Sequence, residues 1–303
     1  MTKLLRHPVT PPVHVVKQQD ITFSSSATLN AQFWIEQFPW RPTAAWAAIA
    51  ALLASNVGWH ALVAEWRTIL LLLVLVDPLW GSIWRLAAGR DELLPLQTRV
   101  APHPVWLPYM KPGSPAARLF DWNYVRAVPL LFRVGMPSLL LALLVAAILK
   151  PMAIWMTGGV FLASVLAWIV RRTVHSSASL LHSIVTITLP ALLALTLLQS
   201  SAVEFNSRLQ WLLVAFWTIH HWGEGRNLRS IADPWGVLLL GIAELGMISL
   251  LLFVQAPLWL AFLVLLWLPT WLSIYQGQTL RRLNFIWLAT LLLSAWAVGQ
   301  SGV

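Results

Sequence analysis

Residues 235–254 read WGVLLLGIAELGMISLLLFV, twenty positions with a single ionisable side chain, Glu244. As a helix rising about 1.5 Å per residue, such a run is about 30 Å long, the thickness of a bilayer's hydrocarbon core. A chain crossing that layer must satisfy its own backbone amides, and a continuous apolar run with no two-residue alternation does so as a helix. Similar runs recur at about 44–63, 68–86, 127–149, 152–170, 179–198, 209–222, 257–275 and 283–300. Together they predict an all-α polytopic membrane protein of about nine transmembrane helices.

Composition agrees. Of 303 residues, 58% are hydrophobic and 10% charged, with a mean hydropathy of +0.72, which excludes an ordinary soluble domain. Cysteine is absent, which excludes disulfides, thiolate metal sites and cysteine nucleophiles. The 20 Trp suit a fold with many helix ends at membrane–water interfaces. The sequence holds no phosphate-cradling Gly-Lys-Thr loop, dinucleotide fingerprint, Gly-x-Ser-x-Gly elbow or zinc-protease helix motif.

Loop charges orient the threading, because Lys and Arg accumulate on the cytoplasmic side. With the N-terminus inside, inside segments hold Lys3, Arg6, Lys17, Arg41, Arg90, Arg99, Lys111, Arg118, Arg126, Arg171, Arg172, Arg226, Arg229, Arg281 and Arg282. Outside segments hold Arg67, Lys150 and Arg208. Fifteen against three puts the N-terminus inside and Val303 outside. The basic residues therefore track topology and form no concentrated patch of the kind nucleic acid requires. Residues 1–40 read as a polar arm ending in an interfacial anchor of Phe33, Trp34, Phe38 and Trp40, without a cleaved signal. Residues 41–303 form the transmembrane domain, and the short loops and lack of a presequence point to a cell (inner) membrane.

Two inside loops stand out. The segment from about 86 to 126 carries Arg90, Asp91, Glu92, Arg99 and Lys111 among six prolines. It is either a linker on the headgroups or a cap over a site opening to the cytoplasm. The second loop, His220-His221-Trp222-Gly223-Glu224-Gly225-Arg226-Asn227-Leu228-Arg229 and on to Asp233, is shorter and denser. His220 and Glu224 share one face if the helix continues, although Gly223 and Gly225 weaken it. That spacing suits a metal or a proton relay, and a surface-exposed polar turn explains it as well.

Within the spans, Asp77, Arg85, Arg133 and Glu244 are costly in lipid, with His60 and His182 as weaker cases. Asp77 has Arg85 within two turns, and Arg133 suits Glu244 by charge. An internal echo, Asp77-Pro78-Leu79-Trp80-Gly81 against Asp233-Pro234-Trp235-Gly236, hints at related halves.

This layout resembles the UbiA-type intramembrane prenyltransferases, which have nine helices, an inside N-terminus and functional loops after helices two and six. That family's first loop carries Asn-Asp-x-x-Asp-x-x-x-Asp; here the comparable stretch is Val76-Asp77-Pro78-Leu79-Trp80-Gly81-Ser82-Ile83-Trp84, in which Asp77 matches and Trp80 and Trp84 stand at the other acidic positions. The second motif, Asp-x-x-x-Asp, compares with His220-His221-Trp222-Gly223-Glu224, which keeps an acid at the end. Arg41-Pro42 is similar to a common family opening. The resemblance implies an isoprenoid or prenyl diphosphate handled at the cytoplasmic face. It implies Mg2+ held by Asp77 and Glu224, with Asp233 as a substitute ligand. Arg85, Arg90, Arg226, Asn227 and Arg229 would hold the phosphates, and His220 or His221 would take the acceptor's proton.

The tryptophans remove charge where the metal would sit. They favour the alternative of a non-catalytic subunit or degenerate relative that holds a lipid or pigment within a membrane complex. Glu244, Arg133 and the Gly-rich seventh span also allow a transporter, although an odd span count gives no clean inverted repeat.

Overall fold

The computed structural model describes residues 44–56, 63–88, 135–170, 180–198, 204–227, 233–278 and 280–300. Among the described residues the chain is all-α, without strands. We label the helices α1 (Ala44–Ala54), α2 (66–88), α3 (Met136–Leu149), α4 (Pro151–Val170), α5 (180–198), α6 (Glu204–Asn227), α7 (Pro234–Phe253), α8 (Pro257–Tyr275) and α9 (Asn284–Gln300, entered through a tight 3-10 turn at Leu280–Leu283). Four stretches, Trp66–Trp84, Leu180–Leu197, Pro234–Phe253 and Pro257–Tyr275, are long and apolar enough to cross a membrane. The architecture is that of a multi-pass helical membrane protein.

Two helices depart from the extents read off the sequence. The first apolar run reaches residue 63, but α1 stops at Ala54 and turns through Ser55 and Asn56, whose φ of 52° is the left-handed conformation Asn tolerates. Its 11 residues reach only about 16 Å, roughly half the hydrocarbon thickness. The sixth run, short at about 209–222 and expected to extend into the neighbouring loop, continues as helix to Asn227. Glu224 therefore stands on the same helix as His220 and His221.

Small residues set the packing, as expected where lipid provides no hydrophobic drive between helices. The alanine-rich α1 lies against α5 and α9, and a Cβ on Gly299 of α9 would collide with the Leu53 carbonyl. The broadest pairing joins α6 to α7. There a Cβ on Gly223 would stand 2.9 Å from the Gly236 carbonyl oxygen, so the two backbones touch. Farther along the same pair, Gly246 makes room for the Phe216 ring. On the outer side, Leu140, Leu144 and Ile148 of α3 and Leu258, Leu265, Leu268 and Leu272 of α8 are exposed, an apolar surface suited to lipid.

Both α2 and α5 widen into a π turn, at Leu75–Leu79 and Ile184–Thr188. Proline explains each, since Pro78 sits inside the first and Pro190 just past the second, and a proline ring cannot accommodate the regular carbonyl four residues back. The two proline contexts also separate the repeated Asp-Pro motif. Pro78 lies mid-helix, whereas Pro234 starts α7 with Asp233 as its N-cap, so the echo marks no repeated substructure.

Candidate functional site

The site begins with a stripe along α6. Gln210, Trp217, Thr218, His220, His221, Glu224 and Asn227 are all buried, and their three- and four-residue spacing keeps them on one side of the helix. Each neighbour answers part of this stripe. Gln210 donates from Nε2 to the Ala54 carbonyl at 3.1 Å, which closes the C-terminal end of the short α1. Trp217 donates to Ser294 of α9 at 2.9 Å, and Thr218 exchanges a hydrogen bond with Thr188 of α5 at 2.8 Å.

Toward the C-terminal end of α6 the groups become titratable. His220 is 3% exposed and its Nε2 lies 3.5 Å from Glu244 Oε1 on α7. The other carboxylate oxygen of Glu244 accepts from Trp271 Nε1 of α8 at 2.6 Å. His220 also stacks on Trp287 of α9, ring centroids 4.5 Å apart and planes 9° from parallel. His221 bonds through Nδ1 to Ser183 Oγ of α5 at 2.8 Å. From His221 the aromatic contacts continue to His182 at 5.6 Å and from there to Trp84 of α2 at 5.8 Å. Three histidines and two tryptophans thus form a ladder through the centre of the helix bundle, with Glu244 at one end.

This arrangement has a definite chemistry. A carboxylate beside Nε2 favours the tautomer that carries hydrogen there, leaving His220 Nδ1 as the basic atom. Among the described residues neither ring nitrogen makes a hydrogen bond, and the 3.5 Å approach of Glu244 to Nε2 is what distinguishes the two. A general base oriented by a second residue takes this form. The Trp271 indole fixes Glu244 in turn, so the acid, the base, the stacking surface and the indole that holds the acid come from four helices.

At the end of α6, Arg226 donates from Nε to Asp233 Oδ2 across the connection to α7. That hydrogen bond holds the Asp233 carboxyl below its ordinary value of 3.8, with the arginine's charge and the backbone amides of Trp235 and Gly236 adding to the effect against partial desolvation. Asn227 donates to the Gly223 carbonyl at 3.1 Å and packs over Gly236, where a Cβ would meet its amide.

Of the residues singled out in the sequence, the structure brings His220 to Glu244 and Arg226 to Asp233. Asp77 is buried on the π turn of α2, and Glu224 is buried one turn beyond His220. Arg85 lies on α2, in a part whose side chains are not described; Arg90, Arg133, Arg229, His60 and most of the 86–126 loop fall outside the described residues. The pairing of Glu244 with Arg133 is therefore not described, and the Glu244 contacts the structure does give are His220 and Trp271.

Among the described residues no group of three or more His, Asp or Glu stands close enough to hold a metal. Asp233 is already engaged by Arg226. Trp80, at one of the positions where the resemblance would place an acid, is fully buried and donates to Thr157 of α4 at 3.0 Å. The described donors thus do not by themselves assemble a magnesium site. Compared with protein-family models, curated proteins and solved structures, the chain matches none.

Trp271, Trp287 and Ser183 complete the ladder and were not singled out in the sequence, and Trp84 was noted only as standing where the resemblance expects an acid. A tryptophan inside a span reads as bulk, yet its N–H needs an acceptor there. The spacing of polar residues from Gln210 to Asn227 was the one available signal.

Proposed function

We propose that this chain is a nine-span protein of a cell (inner) membrane, N-terminus inside and Val303 outside, that handles an isoprenoid or related lipid at its cytoplasmic face in a UbiA-like layout. The observation that carries the reading is the His220–Glu244 pair, buried among four helices and walled by Trp287 and Trp271. Ionisable groups buried at membrane depth are costly and are retained where they bind or react.

In this reading His220 Nδ1 takes the acceptor's proton, while Glu244 balances the imidazolium that forms. Arg226 and Asn227, with Arg85, Arg90 and Arg229, form the phosphate-facing side of the site. Asp77 and Glu224 are the carboxylates toward which a Mg2+ would turn, and Asp233 the substitute that Arg226 competes for; no step here runs through the metal. A second reading rests on Trp80. Its N–H is satisfied by Thr157 inside the helix packing, which suits a relative that has exchanged its metal ligands for a packed wall and keeps a lipid, alone or with other membrane subunits.

Thermal unfolding of the purified protein with prenyl diphosphates of several chain lengths, with and without magnesium, separates the two. A ligand at about a hundred times its dissociation constant stabilises by roughly 2.7 kcal/mol. Magnesium-dependent stabilisation that disappears in Asp77→Asn and Glu224→Gln supports the transferase. Stabilisation independent of magnesium supports the lipid-holding relative. No stabilisation by any prenyl diphosphate sinks the isoprenoid reading.

A further inference from the structure

Helix α8 is the least buried of the four membrane-length helices, with 17% of its spanning stretch in the interior against 39% for α7. It packs on α7 and α9, and its two parts are held differently. The first part is anchored by Leu263 and Trp267, both buried, through the close packing that fixes helices in lipid. Past Thr270 none of residues 271–278 is buried, and Tyr275 is 90% exposed. This end touches the 3-10 turn that enters α9 and meets α7 through the Trp271 side chain. The Trp271 ring rests 4.0 Å from where a Gly241 Cβ would stand, and its Nε1 donates to Glu244 Oε2 at 2.6 Å.

Two bending points bound this end. Pro269 lies inside α8. Its nitrogen carries no hydrogen for the Leu265 carbonyl and its ring crowds that carbonyl, so the helix is weakest there. At the other end Gly277 has a φ of 65°, the left-handed conformation that glycine adopts without steric cost, and the chain turns toward α9. Hinges are a few positions at breaks or ends of elements that absorb a backbone rotation. Between these two lies a piece of about two helical turns with a single latch.

The latch covers one side of Glu244. Gly241 and Glu244 are nearly one turn apart on α7, so Trp271 lies along the edge of α7 next to its exposed stripe of Leu238, Ile242 and Leu245. Glu244 is 6% exposed, and His220 faces its other oxygen. Lifting Trp271 uncovers Glu244 toward the lipid phase while α6, α7 and α9 stay in place.

We propose that Pro269–Gln276 is a lateral gate, hinged at Pro269 and Gly277 and latched by Trp271 on Glu244, which opens the His220–Glu244 pair to the lipid phase. The gate rests on the reading of that pair as the site, and it is indifferent to whether the ligand is an isoprenoid.

The chain has no cysteine, so spin labels on introduced cysteines report only the chosen positions. Tyr275→Cys with Leu238→Cys spans the gate, and Leu265→Cys with Leu245→Cys, on the anchored side of Pro269, is the control. All four positions are exposed. The experiment is double electron–electron resonance on the full-length protein in lipid nanodiscs. A bend of about 20° on a segment about 10 Å long moves Tyr275 by about 4 Å, so the open state is a second, longer distance of the gate pair. Trp271→Phe and Glu244→Ala remove the latch from opposite sides. Each raises the ratio of long to short distances about tenfold, the worth of a hydrogen bond to a carboxylate, and the double variant goes no further than either. Pro269→Ala in the Trp271→Phe background removes the long distance, and the control pair stays fixed throughout.

An unchanged gate-pair distribution in both latch variants overturns the proposal, as does a long distance that survives Pro269→Ala. So does equal movement of the control pair, which means that α8 leaves as a whole. No ligand enters the measurement. Failure of the gate therefore leaves the reading of the pair standing, and failure of prenyl diphosphates to stabilise the protein leaves the gate standing.

Discussion

The imidazole of His220 lies parallel to the indole of Trp287, centroids 4.5 Å apart, with its Nε2 edge turned to Glu244 at 3.5 Å. The ring is held on its face by one helix and at its edge by another. Stacking fixes the plane and the carboxylate fixes the rotation within it, so His220 Nδ1 has a set direction before any ligand arrives. Such preorganisation is what a proton-accepting group needs, because reorientation would otherwise add to the barrier.

Glu244 depends on Trp271 for its own position. Replacing Trp271 by Phe keeps most of the ring volume and removes the N–H that meets Oε2 at 2.6 Å. A hydrogen bond to a buried carboxyl group is worth about 1.5–3 kcal/mol, and Trp271→Phe is expected to destabilise the protein by about that amount in detergent unfolding. In a Glu244→Gln background the loss shrinks toward that of a neutral bond, about 1 kcal/mol. Equal losses in both backgrounds would show that the charge plays no part.

Gly223 and Gly225 sit two residues apart on α6 and answer an alanine substitution in opposite ways. A Cβ at Gly223 meets the Gly236 carbonyl at 2.9 Å and the Leu240 amide at 3.0 Å, whereas a Cβ at Gly225 meets nothing within 4 Å. Gly223→Ala is expected to push α7 away and cost about 1–3 kcal/mol. Gly225→Ala restores helix propensity and gains about 0.5–1 kcal/mol. Unfolding midpoints of the two variants side by side check the sign of each.

The same glycines show where sequence reasoning stops. Glycine counts against a helix by propensity alone, and on that basis a polar turn competed with a continued helix over 220–233. The structure continues the helix because Gly223 lets α7 approach, and backbone contact over a long interface outweighs about 1 kcal/mol of propensity. Helical class and the spanning character of 66–84, 180–197, 234–253 and 257–275 were legible, since hydropathy over about twenty residues is a local property. The partner of Glu244 was not. The Arg133 that charge suggested lies outside the described residues, and the described contacts are His220, 24 positions before Glu244, and Trp271, 27 positions after it, a relation made by helix packing that leaves no local mark.

Trp80 supplies a check on what replaced the expected acids. Its indole N–H reaches Thr157 Oγ1 at 3.0 Å, and Thr157 in turn donates to the Ala153 carbonyl. Thr157→Val strands the indole N–H in a fully buried position and is expected to cost about 1–3 kcal/mol. Thr157→Ser keeps the hydroxyl and recovers most of it. If Thr157→Val proved neutral in unfolding experiments, the Trp80 contact would not be part of what holds α2 to α4.

The Arg226–Asp233 pair gives the protein an acid-sensitive joint between α6 and α7. Asp233 is held below its ordinary value of 3.8 in the folded state, chiefly by the Arg226 hydrogen bond. For a depressed carboxyl group the unfolded chain binds the proton first, so folding stability falls as pH drops. The contribution is complete above about pH 5, begins to fade as the unfolded group titrates near 3.8, and is lost once pH passes below the folded value. Both side chains are partly exposed, at 18% and 17%, so solvent screening limits the pair to about 1 kcal/mol. Asp233→Asn is expected to lower stability at neutral pH by about that amount and to flatten the acid slope, and Arg226→Gln to do the same with Asp233 still present. Unfolding midpoints measured from pH 3 to 7 decide the matter, because an unchanged slope in both variants assigns the acid sensitivity to other carboxylates. The joint also bears on the site above it, since α6 and α7 carry His220 and Glu244: if the pair sets the register of the two helices, ligand stabilisation in Asp233→Asn weakens at neutral pH as it does in the wild type at low pH.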